Sequence, residues 1–140
     1  MTQVTKKMAM VIIPTYNEAK NIGPLLDQLF ALSELDKMGW QLDALIMDDT
    51  SPDGTSDVVS ELAKTKYKNR VFLHTCKKEG LGRALQKSFD AALTYKHDVF
   101  LTMDADFSHS PSDIPELLRA IDNGADIAVG SRYIDGGLIP

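Results

Sequence analysis

Short apolar runs alternate with stretches of helical periodicity along most of this chain, and no other feature constrains its fold as tightly. Met8–Ile13, Ala44–Met47, Val71–His74, Val99–Met103 and Ile127–Val129 are runs of strand length. They lack the polar–apolar alternation of a half-exposed strand, as expected for strands covered on both faces. Between the first two, Ile22, Leu25, Leu26, Leu29 and Phe30 recur at i, i+3, i+4, i+7 and i+8, an amphipathic helix expected to end before Gly39. Val58, Val59, Leu62 and Ala63 mark a second helix. Leu81, Ala84, Leu85, Ser88, Phe89 and Ala92 mark a third. Ile114, Leu117, Leu118 and Ile121 mark a fourth, closed by Asn123-Gly124. The order βαβαβαβαβ predicts an α/β domain, a mostly parallel sheet with helices on both faces. Right-handed crossovers bring every strand's carboxyl end to one edge, where such sheets bind ligands.

The unusual polar residues collect on that edge. Pro14, Tyr16 and Glu18 follow the first run, and Asp48 and Asp49 close the second. Gly80 and Gly82 come after the third, Asp104 and Asp106 end the fourth, and Ser131 and Arg132 follow the fifth. Two carboxylates flanking one small residue, with serines and Pro111 beyond, make a hard-oxygen site suited to Mg2+ or Mn2+ bridging to substrate phosphates. Tyr16 could cover a base or ribose face, a carboxylate could accept from base N–H groups, and Arg132 could add charge-assisted contacts. Taken singly, each has a plainer reading. Asp-x-Asp can be a solvated turn, Tyr16 half-buried packing, Asp49 a helix N-cap and Arg132 a surface cation. Their joint placement favours a site for a nucleotide diphosphate with a metal. Among the histidines, His74 reads as a packed, hydrogen-bonded strand-end residue and His97 as a solvated loop residue. His109, three positions past Asp106, is the better candidate ligand.

Size and charge narrow the classes further. With 140 residues, 44% hydrophobic and 25% charged, the chain is an ordinary single globular domain, 1–140. A net charge of −5, with no Lys/Arg block longer than a pair, argues against a nucleic-acid partner. Cys76, the single cysteine, excludes an intrachain disulfide and fits a reducing, cytoplasmic setting; nothing around it suggests a nucleophile. No signal-peptide core precedes Met8, and no apolar stretch approaches the roughly 20 residues of a membrane span. Gly80-Leu81-Gly82 lacks the third glycine of a dinucleotide fingerprint. The ending Ile134–Pro140 reads as mid-loop, so a fragment of a longer protein is expected.

On particular stretches the sequence resembles family 2 glycosyltransferases of the GT-A, or nucleotide-diphospho-sugar transferase, fold. Within them it is most similar to the dolichol- or polyprenol-phosphate mannose synthases. The stretches are Val11–Glu18 (VIIPTYNE), Asp48–Thr55 (DDTSPDGT), Gly80-Leu81-Gly82, Met103–Pro111 (MDADFSHSP) and Gly130-Ser131-Arg132-Tyr133, and the likeness runs from about Met8 to Tyr133. The resemblance implies that Pro14, Tyr16, Glu18 and Asp49 line the nucleoside pocket, with Asp48 and Gly82 in the same donor site. It implies that Asp104 and Asp106 hold the divalent metal on the donor diphosphate. Ser108 stands where many relatives carry a Gln that helps bind the metal. Arg132 would face the diphosphate or the acceptor phosphate. An acceptor-side segment and a later arginine–serine motif would lie beyond Pro140.

The activity so implied is inverting transfer of a hexose, mannose from GDP-mannose, to a polyprenyl or dolichyl phosphate, with membrane contact through the lipid acceptor. The metal and Arg132 would stabilise the departing diphosphate, which makes the metal ligand Asp106 and Arg132 the catalytic candidates. Other readings remain open: a UDP-sugar with another acceptor, or a donor-binding module inactive by itself. An aspartyl phosphatase usually carries its acidic motif after the first strand, and a sugar nucleotidyltransferase needs an N-terminal glycine-rich stretch absent here.

Overall fold

The computed structural model describes residues 5–77 and 79–137, the side chain of Leu81 excepted. Lys78, in the expected turn before the third helix, and the closing Leu138-Ile139-Pro140 lie outside the described residues. The chain divides into two compact units, one running to His109 and one from Ser110.

In the first unit the elements are β1 (Lys7–Thr15), α1 (Ile22–Phe30), α2 (Ser33–Lys37), β2 (Trp40–Asp48), α3 (Thr55–Lys64), β3 (Val71–Thr75), α4 (Leu81–Ala92) and β4 (Val99–Thr102). The strands form a four-stranded sheet in the order β3-β2-β1-β4. All its pairings are parallel, with Thr15 opposite Asp48, Asp48 opposite Thr75 and Ile12 opposite Thr102. The carboxyl ends therefore share one edge. β1 and β2 are buried along nearly their whole length, as their unbroken apolar runs require.

Side chains alternate across the sheet with period two. Met10, Ile12, Leu45 and Met47 pack on one face with Ala92 of α4 and, around them, Phe72, Ala91, Tyr95 and Phe100. Ala44, Ile46 and Asp48 point to the other face, where Ser56 of α3 bonds to Asp48. α1 lies against α3, so close that a Cβ on Gly23 would stand 3.9 Å from Leu62. Helices thus cover both faces. The first helical run breaks after Phe30 and resumes as the one-turn α2, whose Leu35 is buried. Pro14 continues β1 rather than ending it. Ile12 accepts from Met103 on the β4 side and Thr15 from Asp49 on the β2 side, so residue 14 turns its nitrogen toward β4 beyond the last β4 pair. No ladder N–H is needed there.

The second unit opens with a 3-10 turn at Pro111–Asp113 that leads into α5 (Ile114–Asp122). Ile114, Pro115 and Leu118 are its buried residues. Gly124 at φ +100° closes it, donating to Ile121 while Ala125 donates to Ala120. The expected fifth strand does not form. Ile127 and Val129 are 80% and 79% exposed and lie in coil. Three residues have no ladder of their own to stabilise them, and β propensity acts only where a partner strand supplies packing.

Candidate functional site

The carboxyl edge of the sheet is built from loops held in costly backbone conformations. Asn17 after β1, Thr50 after β2 and Phe107 after β4 all have positive φ, at +58°, +54° and +63°. Such angles are uncommon for residues with a Cβ and concentrate where function over-determines the backbone.

Asp48 closes β2 and is fully buried. Its Oδ1 accepts from the hydroxyls of Thr15 (2.8 Å) and Ser51 (2.6 Å), and its Oδ2 from the Ser51 N–H (2.9 Å) and the Ser56 hydroxyl (2.8 Å). Burial pushes this carboxyl up. The Ser51, Ser56 and Thr15 bonds together outweigh burial and hold it below the usual carboxylate range. Both oxygens are engaged with protein donors, so Asp48 shapes the site from behind. Asp49 is half-buried, its N–H in the ladder to Thr15. It does not cap α3: the residue before that helix is Gly54, and Asp53 accepts from the Thr55 N–H at 3.0 Å.

Tyr16 is 46% exposed just past the end of β1. Glu18 is half-buried, with one carboxylate oxygen accepting from Asn21 Nδ2 at 2.8 Å. Pro14 is half-buried. Gly82 lies exposed in the first turn of α4, with open space where a Cβ would be. Next to the Asp48–Asp49 turn is a cleft of about 390 Å³, lined in part by Met47, His74, Cys76, Lys77 and Lys87. Cys76 donates its N–H to Asp48 and accepts from the Thr50 hydroxyl. Burial first, then the Asp49 charge, push its thiol up, which suits the bystander expected from sequence.

Past β4, Ala105 is buried while Asp104 and Asp106 on either side are exposed. The hydroxyl and N–H of Ser108 bond to Asp106 and hold its carboxyl below the usual range. His109 Nδ1 accepts from the Asp104 N–H at 3.2 Å, and its Nε2 stands 4.0 Å from Asp104 Oδ2. Among the described residues no group of three His, Cys, Asp or Glu could by itself hold a metal ion. Two exposed carboxylates nonetheless fit Mg2+ or Mn2+, which bind through one or two carboxylates and complete their shell with water and substrate phosphate. The first unit thus gathers Pro14, Tyr16, Glu18, Asp48, Asp49, Gly82, Asp104 and Asp106 on one edge. Arg132 belongs to the second unit, in an exposed turn where Tyr133 donates to the Ser131 hydroxyl.

Two histidines differ in outcome. His74 bonds to the Tyr95 hydroxyl at 3.1 Å, as its strand-end position suggested. His97 is not a solvated loop residue. Its side chain is 7% exposed, its Nε2 lies 2.9 Å from Asp43 Oδ2, and its ring faces those of Tyr95 and Phe100. The partner carboxylate is far away in sequence, which hid the pairing.

A parallel α/β sheet with acidic strand ends defines the class, and solved structures agree. A mannosyltransferase from Pyrobaculum calidifontis, solved with GDP-Man and Mn2+, superposes with a TM-score of 0.64 at 24% identity, covering 81% of this chain and 32% of that one. Glucosyl-3-phosphoglycerate synthase from Mycobacterium tuberculosis, solved with Mn2+, UDP and phosphoglyceric acid, superposes at 0.58 with 20% identity, covering 82% and 39%. The fold is that of the GT-A glycosyltransferases. The profile of Glycosyl transferase family 2 matches residues 10–138, and the chain belongs to that family. Polyprenol monophosphomannose synthase from Mycolicibacterium smegmatis is 42% identical over 130 residues, 93% of this chain and 47% of that protein. Dolichol-phosphate mannosyltransferases from Pyrococcus furiosus and Saccharomyces cerevisiae are 43% and 35% identical, over 92% and 90% of this chain and 34% and 45% of theirs. The chain therefore spans half or less of the length of these relatives.

Proposed function

We propose that this protein binds GDP-mannose with a divalent cation and transfers the mannose, with inversion, to a polyprenyl or dolichyl phosphate. The observation that carries the reading is the exposed Asp104–Asp106 pair, flanking the buried Ala105 on the sheet edge that also carries Tyr16, Glu18 and Asp49. The names of relatives 35–43% identical supply the sugar and the acceptor class.

In this reading Asp104 and Asp106 hold Mg2+ or Mn2+. When bound, that ion neutralises the diphosphate and stabilises it as a leaving group. Tyr16 covers the nucleoside, with Glu18 and Asp49 offering carboxylates to base or ribose donors and Pro14 walling the pocket. Gly82 leaves room at the amino end of α4, where free backbone N–H groups favour anions. A lipid phosphate is already an anionic nucleophile, so no general base is required. Contact with the membrane comes through the lipid acceptor; among the described residues no helix is long and apolar enough to cross a membrane.

The test is a comparison of donors and acceptors. GDP-mannose should bind in the presence of Mn2+ more tightly than UDP-glucose. Mannose should appear on polyprenyl phosphate with inverted anomeric configuration. Transfer only to hydroxyl acceptors would overturn the acceptor assignment, and preference for UDP-glucose the donor assignment.

A further inference from the structure

Two loops of the site are sewn together by a hydrogen-bond pattern that none of the donor-contacting residues explains. After β1, three successive backbone N–H groups donate into the loop after β2. Asn17 donates to the Ser51 hydroxyl oxygen at 2.9 Å, Glu18 to the Thr55 hydroxyl oxygen at 3.0 Å, and Ala19 to Asp53 Oδ2 at 3.0 Å. Each accepting hydroxyl then donates onward to a carboxylate: Ser51 to Asp48 Oδ1 (2.6 Å) and Thr55 to Asp53 Oδ1 (2.5 Å). Asp53 also takes the Thr55 N–H, and Asp48 the Thr15 and Ser56 hydroxyls. A hydroxyl that must accept from a backbone amide needs somewhere to send its own proton, and a carboxylate is the acceptor that asks for none in return. Asn17, the first of these donors, sits at positive φ, which an isolated loop would rarely adopt.

We propose that Asp48 and Asp53, through Ser51 and Thr55, are positioning residues that hold the Tyr16–Glu18 loop against the Asp49 turn, so that the nucleoside pocket is formed before the donor arrives. The inference deepens the donor-site reading and rests on it. Its physical content is entropic. Tyr16, Glu18 and Asp49 lie on loops that would otherwise have to be ordered at the moment of binding, at a cost in affinity.

Asparagine offers one acceptor oxygen where Asp53 uses two, so Asp53→Asn must release either Ala19 or Thr55. Ser51→Ala releases Asn17. Asp53 is exposed and Ser51 half-buried, and both lie in a loop outside the apolar core, so the fold should persist. Amide hydrogen exchange on the full chain should show Ala19 or Thr55 exchanging at least about tenfold faster in Asp53→Asn, and Asn17 in Ser51→Ala, with Val11 and Ile46 in the central strands unchanged. Calorimetric titration of GDP-mannose with Mn2+ should show affinity falling about tenfold in both variants, with a less favourable binding entropy. Faster exchange with unchanged affinity would overturn the role in binding. Lost affinity with unchanged exchange would overturn positioning and place these side chains on the donor itself. A wild type that binds no nucleotide sugar, with amides 17–19 protected, would instead overturn the donor-site reading on which the inference depends.

Discussion

Asp48 stands at the end of β2, where its apolar run places it, with bonding partners that the run does not reveal. Its position at the end of an apolar run was legible, because a carboxylate there must leave the core or be satisfied within it. That it is satisfied by Thr15, Ser51 and Ser56 depends on side chains from β1 and α3 meeting at one atom pair, which no local pattern encodes. Asp48→Asn should therefore destabilise the protein by about 2–3 kcal/mol, the scale of hydrogen bonds to a charged group, measurable by urea unfolding. His97 makes the complementary case. It was expected in solvent and instead pairs with buried Asp43, where Arg70 Nε also stands 3.6 Å from Oδ1. His97→Ala would leave that carboxylate short of a partner and open a void between Tyr95 and Phe100. A loss of about 3 kcal/mol or more is expected in the same assay. Asp53, assigned no role from the sequence, accepts from Ala19 and Thr55, although Pro-Asp-Gly-Thr ahead of a helix is the signature of a side chain turning back on its own backbone.

At the scale of elements, four strands and the helices between them follow from unbroken apolar runs set against 3.6-residue periodicity. The departures have separate causes. Of the face expected on α4, Ser88 and Ala92 are buried among the described side chains, whereas Leu85 and Phe89 are 41% and 37% exposed. Periodicity finds an apolar stripe but not the side of it that small residues let approach the sheet. Ile127–Val129 has strand composition without a strand partner, and composition alone could not reveal that. Gly54 is one position where the backbone dictates the residue. It precedes α3 at φ +87°, so Gly54→Ala should cost about 1–2 kcal/mol through left-handed strain alone, read from the thermal midpoint.

For the whole molecule, a set of depressed carboxylates fixes the response to acid. Bonds from Lys66 to Asp27, Lys6 to Asp36, the Thr55 hydroxyl to Asp53 and the Ser108 hydroxyl to Asp106 each hold a carboxyl below its usual value. Asp48 joins them, its hydrogen bonds outweighing burial. A group depressed on folding stabilises the native state fully above its unfolded pKa, near 3.9, and loses that contribution as pH falls through the folded value. The thermal midpoint should accordingly hold from pH 7 to about 5 as far as these groups decide it, and fall below about pH 4. Asp106 should remain ionised, and able to hold a metal, throughout the upper range. In the proposed function the Asp104–Asp106 pair on this sheet edge joins a divalent cation to a nucleotide diphosphate sugar. The most direct test is calorimetric titration of GDP-mannose into wild type and Asp106→Ala, with and without Mn2+. Binding by the wild type that requires Mn2+, and its loss in a folded Asp106→Ala, is the predicted result. Equal binding with and without the metal, or by the variant, would contradict it.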